Sequence, residues 1–174
     1  MKGLLSNEIV TLRALEPTDL ETLYNWENDT ALWVVSDTVA PYSREALWHY
    51  LQNYTGDIYA QRQLRLMITL TSDGTPVGTI DFLNFDPLNN RAELGLFIAP
   101  DQRGQRLGRQ ALELLTAYAR EHLGLRQLYV FIALDNTVCL KMFEDYGYRR
   151  VGEIKSWVKR GSDYRDVAML QMIL

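Results

Sequence analysis

The sequence predicts an α+β fold in which a mixed, mostly antiparallel sheet is flanked by helices. Three strand-like segments in the middle of the chain follow one another through short turns, which is typical of antiparallel hairpins. A long amphipathic pattern then separates the third of these strands from the next, and a crossover of that length favours a parallel pair. Two further strand-like segments close the chain. The predicted order of elements is β-α-α-β-β-β-α-β-α-β-β.

The N-terminal third predicts one strand, two helices and an irregular segment. Residues 10–15 alternate apolar with polar side chains, which indicates a strand. A helix is expected over residues 17–28, where Pro17 and Asp19 supply the starting signal. Residues 30–42 show no period, so we expect an irregular wall there. Ser43 is a typical N-cap for a second helix, which carries on one face Ala46, Leu47, Tyr50 and Leu51.

The rest of the chain predicts the remaining strands and two helices. The strongest helical pattern ends at Gly124, and its inward stripe consists of Leu107, Ala111, Leu114, Leu115, Tyr118 and His122. A shorter helix over residues 137–146 is expected to turn inward Val138, Met142, Phe143 and Tyr146. The strands are expected over residues 65–70, 77–85, 92–98, 127–134, 148–158 and 164–173.

Composition and charge exclude several classes of protein. The chain has 174 residues, 47% hydrophobic and 23% charged, which is typical of one globular domain over residues 1–174. No apolar run approaches the roughly 18 residues of a membrane span, and we expect a cytoplasmic location. A net charge of −4 argues against a nucleic-acid surface. The lone Cys139 cannot form an internal disulfide, and with His49 and His122 it makes a poor metal site, so no metal is expected.

The most informative segment lies where a strand ends and the long helix begins. It reads Arg103-Gly104-Gln105-Arg106-Leu107-Gly108. Several backbone N–H groups point at one place at such a junction, on the positive end of the helix dipole, which suits a phosphate or pyrophosphate. The alternative is a solvated loop with a glycine turn. Neither the Walker pattern nor G-x-G-x-x-G is present, so nucleoside triphosphate and dinucleotide binding lack support.

This segment resembles the signature of the GNAT superfamily of acyl-CoA-dependent N-acyltransferases. In that family a strand and a proline precede R-G-x-G-x-G/A at the start of a helix, and here Pro100 precedes residues 103–108. The chain departs once, with Arg106 where the family usually has a glycine. A second match is Asn136, which follows the next strand and precedes a helix ending near Tyr146 and Gly147; the alternative for Asn136 is a helix cap alone.

Two shorter segments, residues 90–95 and 161–166, resemble the spermidine N-acetyltransferase and ribosomal-protein N-acetyltransferase branch. The resemblance implies a GNAT-like fold with a splayed parallel strand pair, and acetyl-CoA as the co-substrate. It implies cofactor binding by residues 103–108, by the strand backbone at Phe97 and Ile98, and by Asn136. We expect Gly95 to allow a bulge that splays its strand from the next one.

The implied acetyl transfer to an amine needs a proton acceptor, because an alkyl ammonium with a pKa of about 10.4 must lose a proton before attack. We expect Glu93 to be this base, since its strand leads into the cofactor loop. Asp81, in the neighbouring strand, is expected to hold the cationic amine. The alternative for both acids is that they simply face solvent.

The general acid is less clear from the sequence. Where many relatives place a tyrosine that protonates the leaving thiolate, this chain has Phe143. Tyr146 and Tyr148 are near in sequence, although both fit the pattern of core aromatics. Cys139 lies in the same helix, where the alternatives are a place near the cofactor sulfur or a packing role. A thiolate also leaves without help, because a thiol is acidic enough near neutral pH.

The amine substrate stays open between classes. The first hypothesis is a polyamine such as spermidine or another small amine, and the second is the α-amino group of a protein or peptide. The third is a non-catalytic CoA-binding regulatory module. The sequence does not decide whether the chain forms a homo-oligomer. Acidic residues of the N-terminal third mildly favour a polyamine, although a solvated helix face explains most of them: Asp19, Glu21, Glu27, Asp29, Asp37 and Glu45.

Overall fold

Seven strands form one mixed sheet in this computed structural model, which describes residues 3–36 and 38–174. In the sheet the strands follow the order β1-β2-β3-β4-β5-β7-β6, and only β4 and β5 are parallel neighbours. The predicted class, hairpins and parallel pair are therefore confirmed. The strands are β1 (Val10–Arg13), β2 (Leu64–Leu70), β3 (Pro76–Asp86), β4 (Arg91–Ile98), β5 (Gln127–Ala133), β6 (Arg149–Arg160) and β7 (Asp163–Ile173).

The helices are α1 (Leu20–Glu27), α2 (Trp33–Ser36), α3 (Arg44–Asn53), α4 (Ile58–Gln61), α5 (Leu107–Glu121) and α6 (Thr137–Tyr146), with 3₁₀ turns at Pro17–Asp19 and Pro100–Gln102. Ser43 caps α3 as predicted, because its side chain accepts a hydrogen bond from the backbone N–H of Ala46. The sequence did not predict α2 and α4, which at four residues each are too short to show a helical period. Within the described ranges no helix has the length and apolar character that a membrane span requires.

Helix α5 packs across one face of the sheet and forms the larger core. Its side chains at Ala111, Leu112 and Leu115 are fully buried, together with Leu94 and Leu128 of the strands. The predicted inward stripe of α5 is correct at its N-terminal end but wrong at His122, which is exposed at the C-cap. The sheet meets the helix on the side of Leu112, so the buried face is rotated away from His122.

Helix α6 packs against the same core through a narrower face. Leu140 and Phe143 are its buried residues. The prediction that Val138 points inward is wrong, because this side chain is 82% exposed. A helix of ten residues offers few apolar positions, and more than one assignment of its inner face fits the sequence.

A smaller core lies on the opposite face of the sheet, which α1 and α3 cover. Its buried members are Leu15, Leu23, Leu51 and Met67. The Trp26 ring on α1 meets the Phe97 ring on β4 edge-on, with 5.2 Å between the centroids, so α1 reaches across to β4. Because side chains alternate between the two faces of a strand, Glu93 and Gly95 lie on this same α1 face.

Strands β4 and β5 pair over a short stretch and then separate. The pairs are Arg91 with Gln127, Ala92 with Leu128 and Glu93 with Tyr129. Beyond Glu93 both strands continue without pairing to each other, to Ile98 and Ala133. We call this opening the fork, with its closed end at Glu93 and its open end at Ile98. The expected splayed parallel pair is confirmed.

The expected bulge at Gly95 is wrong. The pairing of β4 with β3 runs without interruption from Gly78–Ile98 to Leu83–Glu93, and Gly95 takes its regular place opposite Asp81. The register shifts instead on β3, between Leu83 and Asp86. The separation of β4 from β5 therefore comes from the end of their pairing and not from an extra residue in β4.

Candidate active site

The segment from Arg103 to Gly108 lies at the open end of the fork. After Ile98 the chain makes the turn Pro100–Gln102 and then takes left-handed backbone conformations at Gly104 (φ +81°) and Arg106 (φ +62°). Helix α5 follows at Leu107, and no side chain of the described residues caps it. The first N–H groups of an α-helix have no partner within the helix, so this uncapped start offers several donors to an anion.

Arg106 occupies a left-handed position, which explains why a glycine is usual there. Among the described residues its side chain forms no ion pair and is exposed. The other two arginines have partners in the protein. Arg103 Nε donates to the Ile98 carbonyl oxygen at 3.0 Å, and Arg109 Nε binds Glu113 at 2.8 Å. Arg106 thus offers the guanidinium that is least engaged by the protein itself.

Gly104 and Gln105 are exposed, whereas Leu107 and Gly108 are buried. The Leu107 side chain joins the larger core and anchors the start of α5. A Cβ at Gly108 would meet side-chain atoms of Leu96, Ile98 and Met142 at 3.4 to 3.5 Å, which is ordinary van der Waals contact. The position therefore has room for a methyl group but not for a larger or charged side chain.

The edge of β4 that faces the fork presents the Ile98 carbonyl and not the Phe97 carbonyl. A Cβ at Gly78 of β3 would collide with the Phe97 carbonyl oxygen, so this oxygen points to β3. Carbonyl groups alternate in direction along a strand, which turns the Ile98 carbonyl toward the fork. The Phe97 side chain contacts Trp26 on the α1 face.

Asn136 lies on the other side of the fork, after β5, and caps α6. Its Oδ1 accepts a hydrogen bond from the backbone N–H of Cys139 at 3.3 Å. The amide nitrogen of the same exposed side chain has no partner among the described residues. The cap and a contact with a ligand in the fork are therefore compatible, because they use different atoms of the amide.

Glu93 stands at the closed end of the fork and is half-buried. Asn84 Nδ2 donates to its Oε2 at 2.8 Å. On the other side, Tyr129 of β5 is its pairing partner. Burial raises the pKa of Tyr129, and the Glu93 carboxylate adds to this shift. The second carboxylate oxygen of Glu93 accepts no hydrogen bond within the described chain.

Asp81 is buried on the face of the sheet that α1 covers. An arginine of the protein binds it there, in the place where we expected the cationic amine of the substrate. Arg65 Nε donates to Asp81 Oδ1 at 2.6 Å, and Arg65 Nη1 donates to Glu27 Oε1 at 3.1 Å. Burial raises the pKa of the Asp81 carboxyl, while Arg65 and Gln63 act in the opposite direction. We call Glu27, Arg65 and Asp81 the ion-pair network. Sequence reasoning missed Arg65, although an arginine between the apolar residues of β2 was a usable signal.

The acidic residues that favoured a polyamine are largely engaged by arginines of the chain itself. Asp19 binds Arg13 at 2.7 Å, Glu21 binds Arg44 at 2.8 Å, and Glu27 belongs to the ion-pair network. Asp29 accepts a hydrogen bond from the N–H of Ala31, and Glu45 lies 3.9 Å from His49. Asp37 lies outside the described residues. Few of these carboxylates are free to bind a cationic substrate.

Among the aromatic residues near α6, Tyr146 is the candidate for a general acid that is not fully buried. Phe143 is 1% exposed and packs edge-on against Tyr148, with 5.0 Å between centroids. Tyr148 is itself buried, which raises the pKa of its hydroxyl. Tyr146 is half-buried and lies under the Arg109 guanidinium, 4.9 Å from the ring centroid. Burial also raises the pKa of the Cys139 thiol to about 11, so this side chain is a neutral packing group at pH 7.

A splayed pair of parallel strands in a mixed sheet, followed by a helix that begins at the open end of the fork, is the arrangement that the sequence led us to expect of an acyl-CoA-dependent N-acyltransferase. Residues 10–149 match the family model described as Acetyltransferase (GNAT) domain. The chain therefore belongs to the GNAT acetyltransferase family, and the resemblance drawn from the sequence is confirmed.

Relatives of known name cover nearly the whole chain. It is 22% identical over 170 residues to the spermidine N(1)-acetyltransferase of Vibrio cholerae, which covers 96% of this chain and 94% of that protein. It is 25% identical over 174 residues to a putative ribosomal N-acetyltransferase of Bacillus subtilis, covering 96% and 92%. Both kinds of enzyme that name the predicted branch are thus represented among the relatives.

Solved structures show the same fold. The crystal structure of the Vibrio cholerae spermidine N-acetyltransferase in complex with CoA and spermine superposes with a TM-score of 0.84 at 23% identity, covering 96% of each chain. A dodecameric structure of the Vibrio cholerae enzyme gives a TM-score of 0.80 at 23% identity, covering 96% of this chain and 95% of that one.

Proposed function

We propose that this protein, acting as one domain over residues 1–174, transfers the acetyl group of acetyl-CoA to a primary amine, and that the first substrate class is a polyamine such as spermidine. The observation that carries the proposal is the fork, with the start of α5 at one end and the Glu93 carboxylate at the other. The strand from Glu93 to Ile98 spans about 16 Å. A long, extended cofactor arm fits an opening of that length.

The residues of the fork suit CoA at both ends. The pyrophosphate would lie at residues 103–108, where the backbone N–H groups and the free Arg106 guanidinium are donors. The extended arm would lie along β4 at Phe97 and Ile98, with the Asn136 amide on the opposite side. When bound, the cofactor supplies an activated thioester carbonyl. No metal is required by this chemistry, and no cluster of metal-ligating side chains occurs among the described residues.

Glu93 is the proposed proton acceptor. Its free carboxylate oxygen takes a proton from the substrate ammonium, directly or through a water molecule. The amine lone pair would then form the new N–C bond at the thioester carbonyl, and the C–S bond would break with its electron pair leaving on sulfur. The second proton of the amine would pass from the nitrogen to solvent water as the amide forms. Phe143 has no proton to give, so the thiolate leaves unassisted or takes a proton from Tyr146.

Asp81 is proposed to hold the substrate amine through the ion-pair network and not by direct contact. Two carboxylates and one guanidinium leave the network with one net negative charge. Glu27 is the more open of its acids, with 23% of its side chain exposed against 6% for Asp81. A cationic amine would therefore meet this charge on the Glu27 side.

A second candidate substrate is the α-amino group of a protein. The observation that favours it is the pairing of Asp19, Glu21 and Glu27 with arginines, because a substrate with several positive charges finds fewer free carboxylates. A peptide brings a single ammonium group, for which Glu93 suffices. The relative named as a putative ribosomal N-acetyltransferase supports the same candidate.

A thiol-release assay with acetyl-CoA against polyamines, aminoglycosides and peptide N-termini tests the proposal. Glu93→Gln should lower kcat by about 10²- to 10⁴-fold, because it removes the proton acceptor and keeps the shape of the side chain. The matched control is Glu121→Gln, an exposed acid at the end of α5. Calorimetric titration should give wild-type CoA affinity for both variants. A Glu93→Gln enzyme with wild-type kcat would rule out this base.

The same assay separates catalysis from a regulatory role. Tight CoA binding without turnover of any amine would favour the non-catalytic module. Faster turnover of spermidine than of peptides would support the polyamine, and the reverse order would support the protein substrate.

A further inference from the structure

Asn84 has a backbone conformation that asparagine tolerates better than most residues. It lies on β3 where the register shifts between Leu83 and Asp86, and its φ is +47°. Left-handed backbone is unfavourable for residues with a Cβ, and asparagine and glycine adopt it most readily. The bulge turns the Asn84 side chain toward β4 instead of leaving it in the regular strand alternation.

The protein holds this bulge from both sides. On one side the N–H of Phe85 donates to the carbonyl of Arg62 at 3.0 Å, and the buried Phe85 ring packs edge-on against Tyr59. On the other side Asp86 accepts a hydrogen bond from the N–H of Asn89 at 3.1 Å and binds Arg91 at the same distance. The position of Asn84 is thus fixed by contacts that do not involve its own side chain.

The Asn84 amide donates to the carboxylate at the closed end of the fork. Nδ2 lies 2.8 Å from Glu93 Oε2, and Leu83, one residue before Asn84, is the pairing partner of Glu93. The neighbouring titratable and charged groups already have other partners or stay neutral. Tyr129 faces Glu93 from β5 with a raised pKa. Asp81 is bound by Arg65, and Asp86 is bound by Arg91.

We propose that Asn84 is the positioning residue of the proton acceptor. By holding Oε2 it turns the other oxygen of Glu93 toward the fork. The inference rests on the proposed role of Glu93 as the base. Asn84 does not touch the reacting atoms, so its effect is expected in kcat and not in cofactor binding or in KM.

Asn84→Gly tests the amide alone, because glycine adopts the left-handed conformation without strain. We expect kcat to fall by about 10- to 100-fold, as a misplaced catalytic group typically costs. The KM for acetyl-CoA should stay at its wild-type value, because the amide acts on the orientation of Glu93 and not on the cofactor. The affinity for CoA should stay at its wild-type value.

The matched control is Asn90→Gly. Asn90 also has a left-handed backbone (φ +48°) in the same hairpin, and its side chain forms no hydrogen bond among the described residues. The two variants make the same chemical change and relieve the same conformation. Equal kcat values for Asn84→Gly and Asn90→Gly, or an effect on KM alone, would overturn the inference.

Moving the carboxylate from position 93 to position 84 distinguishes an effect on the orientation of Glu93 from an effect on the stability of the fold. Asn84→Asp keeps the size and the backbone preference but sets a second carboxylate against Glu93, so both thermal stability and kcat should fall. In the Asn84→Asp/Glu93→Gln double variant the new amide at position 93 donates to the new carboxylate at position 84. Stability should then recover while kcat remains as low as in Glu93→Gln. Recovery of stability together with activity would also overturn the inference.

Different results would refute the proposed role of Glu93 and the proposed role of Asn84. A Glu93→Gln enzyme with wild-type kcat removes Glu93 from the reaction, and Asn84 with it. A slow Glu93→Gln enzyme combined with an Asn84→Gly enzyme of wild-type kcat leaves the base in place and overturns only the role of Asn84.

Discussion

Arg106→Gly should stabilise the fold and weaken CoA binding at the same time. Arg106 is the N-cap residue of α5, with φ +62° and ψ +14°. This left-handed conformation costs a residue with a Cβ about 1 to 2 kcal/mol. Glycine adopts it freely but loses about 0.5 to 1 kcal/mol more backbone entropy on folding. The net gain in the free energy of unfolding is therefore at most about 1.5 kcal/mol and centres on ~0.75 kcal/mol, or about 1.5 to 3 °C in Tm.

The same substitution removes the exposed guanidinium at the proposed pyrophosphate site. A hydrogen bond to a charged group contributes about 1.5 to 3 kcal/mol, so Kd for CoA should rise by about 10- to 100-fold. Added salt should reduce this difference, because it screens exposed charges. Isothermal titration with CoA at two ionic strengths and thermal unfolding of the free protein give both quantities.

Arg62→Gly is the matched control for Arg106→Gly. Arg62 ends α4 with φ +55° and ψ +18°, so the substitution removes the same side chain from the same backbone conformation. Both variants should gain stability, and only Arg106→Gly should lose affinity for CoA. Equal CoA affinity in the two variants would refute the Arg106 contact and leave the backbone N–H groups as the phosphate donors. Lower stability in both would refute the argument from backbone strain.

Two further predictions concern the α1 face. Arg65→Met should lower the free energy of unfolding by about 3 to 5 kcal/mol in urea titrations, because it leaves the buried Asp81 carboxylate without its partner. The double variant Arg65→Met/Asp81→Asn should regain most of the lost stability. Equal losses in the single and the double variant would contradict this pairing. Burial raises the pKa of Tyr50 to about 12, and its hydroxyl has no partner among the described residues. An unfolded tyrosine ionises near pH 10, so the stability that this neutral hydroxyl provides is complete below pH 10 and falls by about 2 to 3 kcal/mol as the pH rises to 12. Tyr50→Phe should remove this fall without destabilising the protein at pH 7, and an unchanged alkaline loss would assign it to other groups.

The sequence predicted most of the sheet because its signals are local. Strand alternation, the turns between β2, β3 and β4, the cap at Ser43 and the stop at Gly124 each depend on a few neighbouring residues. The parallel pairing of β4 and β5 was also accessible, since a helix of the length of α5 separates them. The short helices α2 and α4 and the inner face of α6 were not accessible from the sequence, because a few residues fit several periodic patterns equally well.

The chemistry of the site was only partly accessible from sequence. The loop at residues 103–108 and Glu93 belong to one continuous segment: a motif predicts the loop, and Glu93 lies in the strand that leads into it. The partners of Asp81 and Glu93 do not belong to one continuous segment. Arg65, Glu27 and Asn84 come from separate elements, which only the tertiary fold brings together. The bulge that turns Asn84 toward Glu93 leaves no recognisable signature in the residues around it.

The hydrophobic packing on both sides of the fork has a consequence for the thermodynamics of ligand binding. Strands on its two sides share one hydrophobic core beneath α5, in which Leu94 of β4 and Leu128 of β5 are buried together with Leu112 of the helix. Closing or opening the fork would shear this core, so the slot between the strands exists before any ligand arrives. The conformational entropy of shaping it is lost during folding and not during binding. Association should therefore be fast and accompanied by little ordering of the backbone.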